Sequence, residues 1–95
     1  MPTLVVPSLV ILHIADVLMC SNVRQLSKLS NVRVKGEEVE INLPVIGTLK
    51  VPLTTIRRWW RACREIEEYY GACDYYTTAY NFLSQVLDKE ILIQT

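Results

Sequence analysis

The segment Thr54-Thr55-Ile56-Arg57-Arg58-Trp59-Trp60-Arg61-Ala62-Cys63-Arg64, followed by Glu65, Glu67 and Glu68, holds the side chains of this chain best suited to chemistry. Guanidinium groups bind phosphate and carboxylate through paired N–H donors, and indole rings stack on bases or bury against other rings. At helical spacing Arg57, Arg61 and Arg64 project together and Arg58 sits beside them. Thr54 and Thr55 add hydroxyls and free backbone N–H groups at the helix start, which makes this a candidate phosphate site. The charge order is also the reverse of what a helix dipole favours. Cations crowd the N-terminal half and glutamates the C-terminal half, at a cost of ~0.3–1 kcal/mol per reversed charge at low salt. A helix that keeps this order either has compensating partners or holds an anion. The competing expectation is a solvated face, because Arg61–Glu65 and Arg64–Glu68 are i,i+4 pairs. Those pairs are in the weaker Arg-before-Glu order, and Arg57 and Arg58 have no acid four residues on.

Catalysis finds little support. His13 is the only histidine and lies in a largely apolar segment, and there is no Gly-rich phosphate loop, paired-carboxylate spacing or nucleophile elbow. Cys20, Cys63 and Cys73 are odd in number and lack CxxC spacing, so neither a complete disulfide framework nor a zinc site is expected, and buried reduced thiols are. No enzyme activity, cofactor or metal is predicted. Glu67 falls within the aromatic face of its helix, where it is expected to meet Arg64 or a tyrosine hydroxyl and, if buried, to have a raised pKa.

Ninety-five residues, 51% apolar and 21% charged, suit one globular domain with a modest core. The net charge of zero conceals a sorted distribution. Residues 22–64 carry nine Lys and Arg against Glu37, Glu38 and Glu40, a balance of +6, whereas residues 65–95 carry Lys89 against six acids, a balance of −5. A basic block suits an anionic partner, and it equally suits pairing with the acidic half. The apolar run Leu4–Cys20 has no basic segment before it, is interrupted by His13 and Asp16, and is shorter than the ~20 residues that span a bilayer. A cytoplasmic protein that does not enter membranes is therefore expected.

Periodicity then places the elements. Apolar residues from Ile11 to Leu29 share a helical face, predicting one largely buried helix over 8–29 with Ser8 as N-cap, and residues 3–6 are β-branched enough for a strand. Val32 and Val34, then Val39, Ile41 and Leu43, alternate with polar residues around Lys35-Gly36-Glu37-Glu38, which predicts a hairpin. Thr48–Leu53 alternates again as a short edge strand, because Pro52 cannot donate to a ladder. Thr54 or Thr55 is expected to cap the arginine helix, with Ile56, Trp59, Trp60, Cys63, Ile66 and Tyr70 facing inward and Gly71 as its stop. Asp74 is expected to cap a last helix over 75–88, followed by a short strand at 90–94.

All eight aromatic residues lie between 59 and 82. Adjacent Trp59 and Trp60 point ~100° apart on a helix, so a single helix contact cannot cover both. The doublets Tyr69-Tyr70 and Tyr75-Tyr76 pose the same demand, and a second copy of the chain is the expected burying surface. The order of extended Leu49-Lys50-Val51-Pro52-Leu53, helix, Gly turn and helix resembles the ribbon-helix-helix repressors over a little under half of the chain. That resemblance implies strands paired across a dimer, Thr48 and Lys50 directed at a DNA major groove, and the start of the last helix near Cys73-Asp74 on phosphate. The first helix is longer than in that family, the strand is internal, and Asp74 would oppose the phosphate. Thr55-Ile56-Arg57-Arg58-Trp59 also resembles a recognition-helix phrase of excisionase-like helix-turn-helix proteins, with a Pro/Gly-broken run where the preceding helix belongs.

The sequence thus predicts a single compact α+β domain, built from an N-terminal helix, a β-hairpin, a short edge strand, two amphipathic helices and a C-terminal strand. The expected function is a small non-enzymatic regulator, homodimeric and nucleic-acid-binding, that uses Arg57, Arg58, Arg61, Arg64, Lys50 and Thr48. Trp59, Trp60, Tyr69, Tyr70, Tyr75 and Tyr76 are its expected dimer or partner interface. The alternative is a protein-binding adaptor or inhibitor acting through the aromatic and acidic C-terminal half.

Overall fold

The computed structural model describes residues 3–94. Strand β1 (Thr3–Pro7) runs directly into helix α1 (Ser8–Met19), and a single helical turn, α2 (Val23–Leu26), follows. Strands β2 (Val32–Lys35), β3 (Glu38–Leu43) and β4 (Gly47–Pro52) lead to helices α3 (Leu53–Tyr70) and α4 (Tyr75–Leu87) and to strand β5 (Glu90–Gln94). The architecture is α+β, as predicted, with two separate sheets. β2, β3 and β4 form an antiparallel meander, and β1 pairs in parallel with β5, Thr3 opposite Glu90 and Pro7 opposite Gln94.

Alternation explains the meander. Val39, Ile41, Leu43, Leu49 and Val51 face inward and are buried, while Arg33, Lys35, Thr48 and Lys50 face out. Gly36, at φ 58°, begins the two-residue loop of the hairpin, a conformation that suits a residue without Cβ. On the outer face Lys35 Nζ lies 3.2 Å from Glu40 Oε1, a pair of an exposed lysine and a half-buried glutamate that stabilises by no more than about 1 kcal/mol. Between β3 and β4 the Ile46 N–H donates to the Pro44 carbonyl at 2.8 Å, and Val45 is held at φ 71°, a strained conformation for a β-branched residue.

The predicted single helix over 8–29 is interrupted. α1 ends at Met19, Cys20 is extended, and the Asn22 side chain accepts the Gln25 N–H at 2.9 Å to start α2. The Ser21 N–H and hydroxyl both donate to Gln25 Oε1, so short polar side chains win the backbone away from a continuous helix. Ser8 is the first helical residue rather than the cap, a position taken by Pro7. Leu12 and Met19, expected on the buried face, are exposed, because Val10, Ile11, Ile14, Val17 and Leu18 define the arc that packs inward.

α3 begins at Leu53 after Pro52, so neither Thr54 nor Thr55 is its cap; the Leu53 N–H instead donates to the Glu37 carbonyl at 2.7 Å. Gly71 closes α3 in the left-handed region at φ 82°, its N–H donating to the Glu67 carbonyl at 2.8 Å. Asp74 caps α4 as predicted, accepting the Thr77 N–H at 3.1 Å and the Thr77 hydroxyl at 2.8 Å, and these bonds hold its carboxyl below the usual range.

One core joins the elements, with Ile11, Ile14, Leu18, Ile41, Ile56, Phe82 and Leu83 among its fully or almost fully buried members. Trp60 reaches across it and donates its indole N–H to the Val17 carbonyl at 2.9 Å. Replacing Trp60 by Phe keeps most of the ring but removes that donor. It is expected to cost about 1–2 kcal/mol, read as a lower urea midpoint with an unchanged slope, while Arg57→Ala shifts the midpoint far less. A Trp60→Phe protein as stable as the parent would show that the bond does not hold α3 in place.

Candidate functional site

Leu53, Ile56, Trp60 and Cys63 are the buried residues of α3, and their spacing of three, four and three sets how the helix is rotated. Arg57, Arg61 and Arg64 consequently emerge on one flank. With Ser21, Asn22 and the edge of Trp60 they line an open cleft of about 370 Å³ between α3 and the α1–α2 turn. These three were expected together and are together. Arg58 is not beside them. It emerges on the opposite flank, where with Lys50, Thr55 and Trp59 it borders a groove of about 550 Å³ whose far wall is Val86 of α4. The arginine cluster is therefore two surfaces, because a one-residue step turns a helix by ~100°.

All four arginines are exposed, and none has a hydrogen-bond or ion-pair partner among the described residues, where Lys35–Glu40 is the only ion pair. The expected i,i+4 pairs Arg61–Glu65 and Arg64–Glu68 do not close. The first turn of α3, Leu53–Ile56, contains neither acid nor arginine, and no side chain caps its N–H groups; Arg57 is the arginine nearest this positive end, with Arg61 and Arg64 one and two turns further along. Lys50 joins Arg58 at one groove. Thr48 does not reach the helix; it lies opposite Asn42 and borders a separate cleft of about 260 Å³ with Arg33 and Glu40.

The aromatic residues divide as well. Trp60 is buried and its donor is used, which removes it from base stacking. Trp59 is half-buried, its ring edge-on to Phe82 at 5.4 Å and 82°. The two tryptophans do point apart, and the chain itself covers both, one against α1 and one against α4; a second copy is not required for them. Tyr69 and Tyr70 remain 88% and 82% exposed, with ring centres 6.4 Å apart. Tyr76 is exposed, and Tyr75 is half-buried. Tyr80, which the sequence did not single out, donates its hydroxyl to the Ile91 carbonyl at 2.8 Å and ties α4 to β5.

Glu67 is exposed, not buried, and accepts the Tyr75 hydroxyl, one of its two expected partners. That bond, with some burial, raises the Tyr75 pKa above its ordinary value. Burial, helped by the neighbouring Cys73 thiol, pushes the Cys63 thiol up to about 12, and the Cys73 sulfur lies 3.6 Å from the Thr78 hydroxyl. Among the described residues no group of His, Cys, Asp and Glu is arranged to hold a metal, and no helix is long and apolar enough to cross a membrane. The chain matches no known protein family, no curated protein and no solved structure.

The raised thiol gives an alkaline signature. Cys63 stays protonated in the fold at a pH where the unfolded chain loses the proton, so its contribution is complete below about 9 and is lost as pH rises toward about 12. Tyr75 acts in the same direction. Cys63→Ala is expected to cost about 1–2 kcal/mol near neutral pH, from the small cavity. It should then lose less further stability than the parent in denaturant titrations taken from pH 9 upward. Parallel alkaline profiles for the two proteins would show that Cys63 does not carry this dependence.

Proposed function

We propose that this protein is a small non-enzymatic regulator that binds nucleic acid through the arginine helix, as a homodimer in the cytoplasm. The observation that carries this reading is the flank of Arg57, Arg61 and Arg64. Three guanidinium groups converge on one open cleft, without acidic partners, on a helix whose N-terminal dipole is already positive. Phosphates spaced along a strand suit such a row, since each arginine engages one phosphate through paired N–H donors. Arg58 and Lys50, on the other flank, and Thr48, further along the sheet face, lie outside this cleft. Reduced cysteines are in keeping with a cytoplasmic setting.

A second reading is favoured by the other end of the helix. Tyr69 and Tyr70 stand exposed beside Glu65, Glu67 and Glu68, a surface suited to a basic protein partner, as an adaptor or inhibitor would use.

Salt-dependent titration separates the two. Arg57→Ala and Arg61→Ala are each expected to weaken binding to DNA or RNA and to lower the salt slope by about one unit per lost phosphate contact. Both residues are exposed, so stability should change by less than about 0.5 kcal/mol. A parent protein that binds neither nucleic acid at low salt, or a double variant that binds as well as the parent, removes the nucleic-acid reading and leaves the protein-partner one.

A further inference from the structure

We propose that two copies of the chain pair through the outward stripe of α3, antiparallel about a two-fold axis that passes between their Ala62 residues. The stripe consists of Thr55, Arg58, Ala62, Ile66 and Tyr69, at spacings of three, four, four and three; Arg58, Ile66 and Tyr69 are exposed, and Thr55 and Ala62 are half-buried at the border of the groove that α3 shares with Gln85 and Val86 of α4. Its centre is the small side chain of Ala62, which lets two helices approach to ~8 Å.

The two halves of the stripe are complements of each other. Thr55 lies seven residues before Ala62 and Tyr69 seven after; Arg58 lies four before, and Ile66, with Glu65 beside it, four after. A two-fold at Ala62 therefore sets the partner's Tyr69 over Thr55 and the partner's Glu65 beside Arg58, and each relation occurs twice. The relief of the surface matches. The groove of about 550 Å³ bordered by Lys50, Arg58 and Trp59 and a second groove of about 360 Å³ formed by Ile66, Tyr69 and Tyr70 meet at Ala62. The partner's Tyr69 ring enters the first groove against Pro52 and the Arg58 guanidinium, a cation–π contact, with Lys50 and Thr55 near its hydroxyl.

The occupant is a second copy because the charges require a partner of opposite order. Arg58 and Glu65 have no ion-pair partner among the described residues of their own chain, and Glu67 and Glu68 sit in the last turn of α3, where the helix dipole disfavours acids. Antiparallel pairing places each basic half against an acidic, aromatic half and aligns the two dipoles oppositely, so the cost borne by one helix is offset across the interface. The flank of Arg57, Arg61 and Arg64 lies outside the stripe. The pairing does not depend on nucleic-acid binding.

Sedimentation equilibrium on the full chain tests it. The parent is expected to dimerise at micromolar concentration. Arg58→Glu and Glu65→Arg should each weaken association by roughly tenfold or more, and the double exchange Arg58→Glu/Glu65→Arg should recover most of it. Ala62→Arg should be monomeric with unchanged far-UV circular dichroism. Arg57→Ala should dimerise like the parent, whatever its affinity for nucleic acid. The proposal is overturned by a folded parent that stays monomeric throughout the micromolar range. It is equally overturned by a dimer that Ala62→Arg leaves intact, or by a double exchange no better than the single ones.

Discussion

The Trp60 indole N–H bonds to the Val17 carbonyl across 43 residues of sequence. Val17 lies in the last turn of α1, where carbonyls have lost their helical partners, and its other donor is the more distant Cys20 N–H at 3.3 Å. The indole therefore satisfies a helix end and fixes one helix against another. Because Trp60 sits between Ile56 and Cys63 on the buried stripe, this contact also settles the rotation of α3. Every outward residue of that helix takes its direction from it.

The rest of the core is apolar; among the described residues no polar or charged residue is wholly buried, and the Asn31 side-chain nitrogen is a buried polar atom without a partner. The fold thus relies on area removed from water and on backbone pairing rather than on buried ion pairs, which would carry a desolvation cost. The β1–β5 pair is short and parallel, an arrangement seldom stable alone. Its support comes from Val6 and Ile91 in the core and from the Tyr80 hydroxyl on the Ile91 carbonyl. An aromatic residue with a polar tip serves both purposes, packing against the core and reaching a strand carbonyl.

Charge has been kept on the surface and left unpaired. Arg57, Arg61 and Arg64 repel one another along one flank of α3 while Arg58 stands on the other, and the glutamates that could relieve them stay apart. Such a helix is tolerable because its inner stripe is firmly buried and its outer charges are hydrated. The same hydration makes those charges available to a ligand or to another helix of reversed order.

Local chemistry in the sequence determined most of the elements. The hairpin, the short strand ending at Pro52, the Gly71 stop, the Asp74 cap and the last strand follow from period-two alternation, from the one residue type that accepts positive φ freely, and from a side chain that reaches its own helix N-terminus. The grouping of Arg57, Arg61 and Arg64 was legible for the same reason, since helical spacing is a local rule. Tertiary structure decided the remainder. The break at Ser21-Asn22 depended on polar side chains outcompeting a continuous apolar pattern, a close contest that hydrophobic periodicity cannot resolve. The parallel pairing of β1 with β5 joins segments more than eighty residues apart, and no local pattern encodes a strand's partner. The separation of Arg58 from the other arginines, the covering of both tryptophans within one chain and the exposure of Tyr69 and Tyr70 all followed from the angle at which α3 is seated. That angle is set by its contacts with α1, α4 and β4, and these exist only once distant parts of the chain have come together.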